Sequence, residues 1–271
     1  MRKKVILTIA PTGNVPAKKD NPSVPLSPRE IVDDIMVCYE LGASVAHIHA
    51  RDLQGLPTTN QKVFRQIKDK LAARCNIITQ FSTGARGGQD RERGDCLDEG
   101  PEMASLTTGS SNFAKGINSN SPELIEYLAR KMYENGIVPE IEVFDVAMIA
   151  NARYLLQKGV LKEPLNFNLV LNVPGSIPGS PKNLLHLAES LPAGCNFSVT
   201  AVGRAHADLI AVGIAMGANI RVGLEDTLVY SYSDGIPATN AMLVERAVRL
   251  IQELGREVAT PEEAREVLGI N

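Results

Sequence analysis

Two histidines stand one residue apart in the apolar segment "ASVAHIHARD", at His47 and His49. On a β-strand, side chains at positions i and i+2 point to the same face. Their α-carbons would lie about 6.6 Å apart, at a rise of about 3.3 Å per residue. Two imidazoles at that spacing can converge on one metal ion through bonds of about 2.0–2.1 Å. The alternative is a pair of hydrogen-bonded polar residues at a barrel rim; the spacing favours the metal site.

A third ligand is available in "NIRVGLED". Arg221, Gly223 and Glu225 share one face of this predicted strand, and Glu225 is nearest its end. Two histidines and a glutamate leave a fourth coordination position open for water or substrate, as in catalytic zinc sites. The alternative is that Arg221 and Glu225 simply pair with each other. The other two histidines, His186 and His206, fall in or beside helical stretches, and we predict that both lie on the surface.

Two further carboxylates alternate in "PEIEVFD". Glu140 and Glu142 share a strand face, and a carboxylate inside a barrel needs a charged or hydrogen-bonded partner. Either residue is therefore a candidate to bind substrate or to contact a histidine or arginine of the site.

The elements that must position these residues alternate regularly along the chain. Glycines at the joints "ELGASV" and "AMGANIRV" mark helix ends that run directly into strands. Alternating strands and helices predict a parallel sheet. Eight strands are predicted, at residues 4–10, 44–50, 76–82, 103–109, 139–144, 166–172, 196–202 and 219–225.

Eight such units in 271 residues predict a single-domain α/β protein, a (β/α)8 TIM barrel spanning 1–271. A doubly wound open sheet is the rival fold, but it would normally carry a glycine-rich phosphate-binding motif after its first strand. Here "APTGNVPAKKDNP" has one glycine. The long loops 11–27, 83–102 and 173–180 follow strands, which places them at the active-site face of a barrel. The charged loop 83–102 is either a mobile lid or a solvated surface excursion.

Composition excludes several classes of function. The chain is 44% hydrophobic and 22% charged, with a net charge of −3, so neither nucleic acid nor a membrane is an expected partner. Its four cysteines are widely spaced, which favours free thiols in a reducing compartment. The first apolar run breaks at Pro11, too early for a signal peptide, and we predict a cytoplasmic location.

Six segments resemble the β-keto acid cleavage enzymes, the family of the 3-keto-5-aminohexanoate cleavage enzyme. They are "NPSVPLSPREI", "GASVAHIHARD", "QFSTG", "LTTGSSNF", "PEIEVFD" and "RVGLED", in the order that the family has them. The resemblance implies a (β/α)8 barrel with one divalent metal, usually zinc, in a homo-oligomer, often a tetramer. It also implies a Claisen-type acyl exchange, in which a β-keto acid and acetyl-CoA give acetoacetate and a new acyl-CoA.

The resemblance also assigns roles, motif by motif. It implies His47, His49 and Glu225 as metal ligands, and Arg221 and Asp226 as the pair that moves protons and orients substrate. The predicted substrate contacts are Ser82 and Gly84 of "STG", Thr107 or Thr108 of "LTTG", and Glu142. Coenzyme A leaves no clear motif, although basic residues in 83–93 or near Lys182 are available for its phosphates.

One position departs from the aminohexanoate enzyme, which carries a glutamate for its substrate's ammonium group after the first strand. Val15 stands there in this chain, and no acidic residue occurs between Pro11 and Lys19. A valine cannot balance a buried ammonium. We therefore predict a β-keto acid without a 5-amino group. Three other functions stay open for the protein as a whole: the aminohexanoate enzyme proper, a metal-dependent hydrolase of the HxH barrel type, and a metal-storing barrel.

Overall fold

A closed barrel of eight parallel strands forms the centre of the protein and confirms the predicted fold. The structure is a computed structural model that describes residues 4–84, 90–113 and 116–270. Each strand pairs with its neighbours in sequence, and the first closes on the last. The barrel strands are β1 (Leu7–Ile9), β2 (Val45–Ile48), β3 (Ile78–Phe81), β4 (Met103–Thr107), β5 (Val138–Val143), β6 (Asn166–Leu171), β7 (Asn196–Ala201) and β8 (Asn219–Val222).

Helices cover the outside of the barrel and begin where the sequence signals predict. Ser27 and Glu30 form a capping box at the start of the first helix, and Pro28 occupies its first position. Apolar residues of the first seven helices pack on the outward faces of the strands in one continuous core. The helices are α1 (Pro28–Glu40), α2 (Gln61–Ala72), α3 (Pro122–Glu134), α4 (Val146–Gln157), α5 (Pro181–Glu189), α6 (His206–Met216), α7 (Asn240–Glu253) and α8 (Pro261–Leu268).

The inside of the barrel changes from apolar to polar along the strands. At the N-terminal end, Ile6 and the first inward residues of β2 to β4 pack against α8, which closes this end of the barrel. The next inward positions of β2 to β5 lie two residues further along. They are all polar and buried: His47, Gln80, Ser105 and Glu140. TIM-barrel interiors are usually filled by branched aliphatic side chains, so this polar layer has a purpose other than packing.

The described part of loop 83–102 is not the solvated excursion that was one of its two predicted forms, and the mobile lid stays a prediction. Asp90–Glu99 forms a 3₁₀ helix against α2 and α3, where an α-helix would normally link β3 to β4. Arg93 is buried and donates to the Thr83 and Ser119 carbonyls and to Asn120 Oδ1. The segment is thus packed rather than solvated. The rest of the predicted lid, residues 85–89, lies outside the described residues.

His206 corrects another expectation, because its side chain is only 3% exposed. It begins α6, and burial is the main reason that its pKa is lowered to about 4. Its position at a helix start gave no signal of the packing around it. His186 is exposed on α5, as predicted, and all four cysteines are free thiols. Within the described ranges, no helix has the length and apolar character needed to span a membrane.

A half-buried carboxyl on α1 supplies a prediction about pH. Asp34 accepts a hydrogen bond from Asn240, whose other contacts are the Leu224 amide and the Pro11 carbonyl. Burial raises the pKa of Asp34 to about 6, against the effect of the Asn240 bond. A raised pKa in the folded state gives stability that is present below the unfolded value and lost as the pH rises through about 6.

We therefore expect Asp34→Asn to remove this pH dependence. The stability of the wild type minus that of the variant should fall by about 1–3 kcal/mol between pH 4 and pH 8. Urea denaturation at the two pH values measures this difference. Asp33→Asn is the matched control on the same helix, since exposed Asp33 bonds to Arg74, which lowers its pKa instead. A wild-type minus Asp34→Asn difference that is the same at both pH values would contradict the prediction.

Candidate metal centre and active site

Three potential metal ligands meet at the C-terminal mouth of the barrel. His47 is in β2, His49 follows it, and Glu225 lies in the turn after β8, the strand on the far side of β1. The Nε2 atoms of the two histidines are 3.2 Å apart. Glu225 Oε1 is 3.2 Å from His49 Nε2, and its Oε2 is 3.8 Å from His47 Nε2. The structure thus brings together the three residues predicted from the sequence.

This triangle fits a metal ion. A tetrahedral ion with bonds of about 2.0–2.1 Å holds its ligand atoms about 3.3–3.4 Å apart, close to the observed separations. Glu225 Oε2 is buried and has no hydrogen-bond partner among the described residues. Burial, and then the charge of Arg221, lowers the pKa of His47 to about 3. His47 is therefore neutral at physiological pH and has a lone pair available for a metal.

Glu225 was predicted to lie on the last strand, but that strand ends at Val222 and two glycines of the turn and of the loop beside it give Glu225 its position instead. Gly223 has a φ of +155°, and a β-carbon there would lie 2.0 Å from the Ala10 carbonyl oxygen. Gly13 has a φ of +67°, and a β-carbon there would lie 2.6 Å from Glu225 Cγ. Any larger residue at either position would displace the turn or the Glu225 side chain.

Arg221 connects the metal-ligand cluster to two further carboxylates. Its Nη2 lies 2.7 Å from Glu225 Oε1 and 2.8 Å from Asp226 Oδ1, and its Nη1 lies 3.5 Å from Glu142 Oε1. The alternative pairing of Arg221 with Glu225 is therefore present, and Glu225 still faces both histidines. A carboxylate has enough lone pairs to serve the guanidinium and a metal together.

Three acidic side chains share this one buried guanidinium. Burial raises the pKa of Asp226 to about 7, although the charge of Arg221 lowers it. Burial likewise raises the pKa of Glu142, again opposed by Arg221. The charge of Arg221, acting against burial, holds the pKa of Glu225 well below its usual range. A carboxyl with a pKa near neutral can both take and return a proton, so Asp226 has the chemistry of an acid–base group.

Some of the predicted substrate contacts lie at the site and one, Thr108, does not. Thr107 bonds through Oγ1 to Glu142 Oε2 at 3.2 Å, which places it at the site. The Thr108 hydroxyl instead donates to the Met148 carbonyl and faces away. The Ser82 hydroxyl accepts from the Gly84 amide at 3.2 Å. A β-carbon on Gly84 would lie 3.6 Å from His49 Cε1 and 3.2 Å from Ser82 Oγ, so both residues border the cluster.

Sequence reasoning missed Asn14, in the loop after β1, and Arg51, which follows β2 and holds that loop in place. The space where a Gly84 β-carbon would sit lies 3.2 Å from Asn14 Nδ2, 3.2 Å from Ser82 Oγ and 3.6 Å from His49 Cε1. Asn14 therefore borders the site, while its neighbour Val15 is 56% exposed. Buried Arg51 fixes this loop by donating from Nε to the Gly13 carbonyl and from Nη2 to the Pro16 carbonyl.

Asn14 follows the one glycine of the loop, but a loop side chain carries no periodic signal from which its direction can be predicted. Arg51 stands two residues after His49, so on an extended chain both side chains point to the same face. This spacing is a signal from which the position of Arg51 near the site is predictable. Gln80 of β3 was also missed, although it stands two residues before Ser82 and so must point inward with it.

Comparison with known proteins gives consistent matches over the whole chain. A family model described as "beta-keto acid cleavage enzyme" matches residues 4–270. The 3-keto-5-aminohexanoate cleavage enzyme of Acetoanaerobium sticklandii is 42% identical over 99% of this chain and 99% of its own length. The 3-oxoadipate:acetyl-CoA acetyltransferase of Cupriavidus necator is 34% identical over 100% of this chain and 96% of its own. The apo structure of ObcA has a TM-score of 0.81 over 92% of this chain and 66% of that chain, at 22% identity, a likeness of fold alone.

Proposed function

The chain belongs to the beta-keto acid cleavage enzymes, and from that premise we propose that it catalyses a metal-dependent, Claisen-type acyl exchange. A β-keto acid and acetyl-CoA would give acetoacetate and a new acyl-CoA. The observation that carries this proposal is the shared position of Glu225, which faces two histidines and an arginine at once. One site then holds a Lewis acid and a fixed positive charge beside an acid–base group.

The exchange breaks the C2–C3 bond of the keto acid and forms a bond from C2 to the acetyl carbonyl carbon. Asp226 removes a proton from C2, and the carbon nucleophile displaces the thiolate of coenzyme A. The thiolate attacks the C3 carbonyl, the C2–C3 bond breaks, and the carbon that leaves takes back the proton. Water, electrons and net protons are not consumed.

Each group near the cluster has a part in this scheme. His47, His49 and Glu225 would hold a divalent metal, which when bound would supply Lewis-acid activation of the keto acid. The Arg221 guanidinium stabilises negative charge that develops on those oxygens. We assign the hydroxyl groups of Ser82 and Thr107 to the orientation of the substrate by hydrogen bonds; their contacts with Gly84 and Glu142 support this role.

We extend the proposal to the identity of the metal and to the assembly. Mixed nitrogen and oxygen ligands favour zinc, although nickel, cobalt or manganese suits the same set. Four free thiols fit a cytoplasmic enzyme. Exposed apolar side chains on two short hairpins, Leu53 (99% exposed) between strands 50–51 and 57–58 and Ile117 (70%) in the pair 111–113 and 116–118, fit a homo-oligomer, for which we propose a tetramer.

For the substrate, we propose a β-keto acid without a 5-amino group. The loop that borders the site offers the neutral amide of Asn14 and no carboxylate between Pro11 and Lys19. Behind the loop lies the Arg51 guanidinium, bonded to carbonyl oxygens. A positive charge there disfavours an ammonium group and favours an oxygen-bearing or uncharged one. The identity of 42% to an aminohexanoate enzyme favours that activity as the second candidate.

A substrate panel tests both the proposed reaction and the proposed class of substrate. Zinc-loaded protein is incubated with 3-keto-5-aminohexanoate and with β-keto acids that carry oxygen or no substituent at C5, each with and without acetyl-CoA. We expect acetoacetate only with acetyl-CoA, and a kcat/KM at least about tenfold lower for the amino substrate, because its ammonium lacks a partner. Asn14→Asp adds a carboxylate at equal size, and we expect it to reduce this difference in kcat/KM between the amino substrate and the other β-keto acids.

Other results would be decisive. Product without acetyl-CoA would indicate a hydrolase, and no product with any substrate would indicate a storage role. A best rate with 3-keto-5-aminohexanoate would overturn the substrate assignment alone and leave the acyl exchange standing.

A further inference from the structure

Gln80 makes a buried contact with one proposed metal ligand. It lies beside His47 in the register of β2 and β3, and its side chain is 0% exposed. Gln80 Oε1 is 2.6 Å from His47 Nδ1. A glutamine carbonyl oxygen only accepts hydrogen bonds, so at this contact the proton stands on Nδ1. The other ring nitrogen, Nε2, is then left with its lone pair toward His49 and Glu225.

We propose that Gln80 is a positioning residue that sets the tautomer and ring orientation of His47 for metal binding, an inference that rests on the proposed metal site. Partners of this kind raise the basicity of a histidine ligand and fix its ring. If the amide were turned over, its NH₂ group would face Nδ1 and require a lone pair there. The proton would then move to Nε2 and occupy the position that a metal needs.

Acceptors on the other side of the amide favour the productive orientation. Gln80 Nε2 donates to Met103 Sδ at 4.0 Å, and the Glu140 carboxyl lies close enough to Gln80 for the amide to lower its pKa. Burial raises the pKa of the Glu140 carboxyl to about 7, while hydrogen bonds from Gln80 and Ser198 lower it. The Ser198 hydroxyl lies 3.5 Å from Glu140 Oε1, and Oε2 is buried and has no hydrogen-bond partner among the described residues, so it is free to accept. An acceptor on this side draws the NH₂ group of Gln80 and so directs its carbonyl oxygen to His47. The polar layer beneath the cluster would thus orient a metal ligand: Glu140 helps to orient the Gln80 amide, and Gln80 orients His47.

Metal affinity is the direct test, because a merely structural glutamine would not change it. Gln80→Met keeps the length of the side chain and removes the acceptor. We expect its zinc affinity, measured by competition with a chelator, to fall about 10–100-fold. Gln80→Glu restores an acceptor for the Nδ1 proton and should recover most of the loss. Asn168→Leu is the matched control: Asn168 is equally buried in the barrel and bonds to Thr200, not to a ligand.

The tautomer itself can also be observed. Long-range ¹H–¹⁵N spectra of the metal-free protein should show His47 protonated at Nδ1, and Gln80→Met should lose that preference. Unchanged zinc affinity in a folded Gln80→Met protein would overturn the inference, as would an equal loss in Asn168→Leu. If instead the wild type binds no divalent metal, the proposed function fails, so the two failures are distinguishable.

Discussion

Replacing Glu225 by alanine is expected to remove the bound metal and to lower the rate of acyl exchange by about 10³-fold or more. The Lewis acid contributes several kcal/mol to the barrier, and each 1.4 kcal/mol is about tenfold in rate. Two histidines alone leave the ion without its only anionic ligand. His47→Ala should have the same effect, because it removes a ligand from the same triangle.

Metal content by elemental analysis and kcat/KM with the best substrate of the panel measure this result. Glu102→Ala is the matched control, because Glu102 also pairs with an arginine, Arg265, but does so beside the N-terminal end of β4. That variant should keep both metal and activity. Full exchange by a preparation from which all metal has been removed would refute the role given to Glu225.

The barrel and its metal cluster were predictable because each leaves a periodic signal. Alternation on a strand places His47 and His49 on one face, and the parallel order of the strands brings Glu225 to the same mouth. The β–α alternation likewise predicted all eight barrel strands. Local patterns were sufficient wherever the side chain's direction follows from the element that carries it.

The burial and direction of side chains that depend on tertiary contacts could not be predicted from local patterns. Arg93 turns a charged loop inward because it finds three oxygen acceptors, and none of them lies beside it in the sequence. His206 is buried by the elements that pack around α6. Asn14 depends on a loop held by Arg51 from another strand. Thr107 and Thr108 alternate, but only the observed register of β4 beside β5 shows which of them meets Glu142.

Arg221→Met is expected to lose both activity and stability. Its guanidinium is the shared partner of Glu142, Glu225 and Asp226, and those carboxylates, acting against burial, hold its pKa well above the usual value. Removing one partner of a buried ion pair costs about 3–5 kcal/mol, because the remaining charges stay buried without compensation. The exchange should also slow by about 10²–10³-fold, as when one donor to a developing oxyanion is lost.

The stability loss should depend on pH in a direction that the charges dictate. Without Arg221, burial and mutual repulsion raise the pKa values of the three carboxyls above their unfolded values. Groups of that kind stabilise the fold at low pH and cease to do so as the pH rises through their folded pKa values. The loss in metal-free Arg221→Met, relative to metal-free wild type, should therefore be larger at pH 8 than at pH 5, as measured by urea denaturation.

A second substitution separates the two roles of Arg221. Adding Asp226→Asn to Arg221→Met removes one uncompensated charge, so we expect part of the stability at pH 8 to return. Activity should not return, because the double variant lacks both the guanidinium and the acid–base group. A stability loss of equal size at pH 5 and pH 8 would show that Arg221 contributes packing rather than charge. Recovery of exchange in the double variant would remove Asp226 from the mechanism.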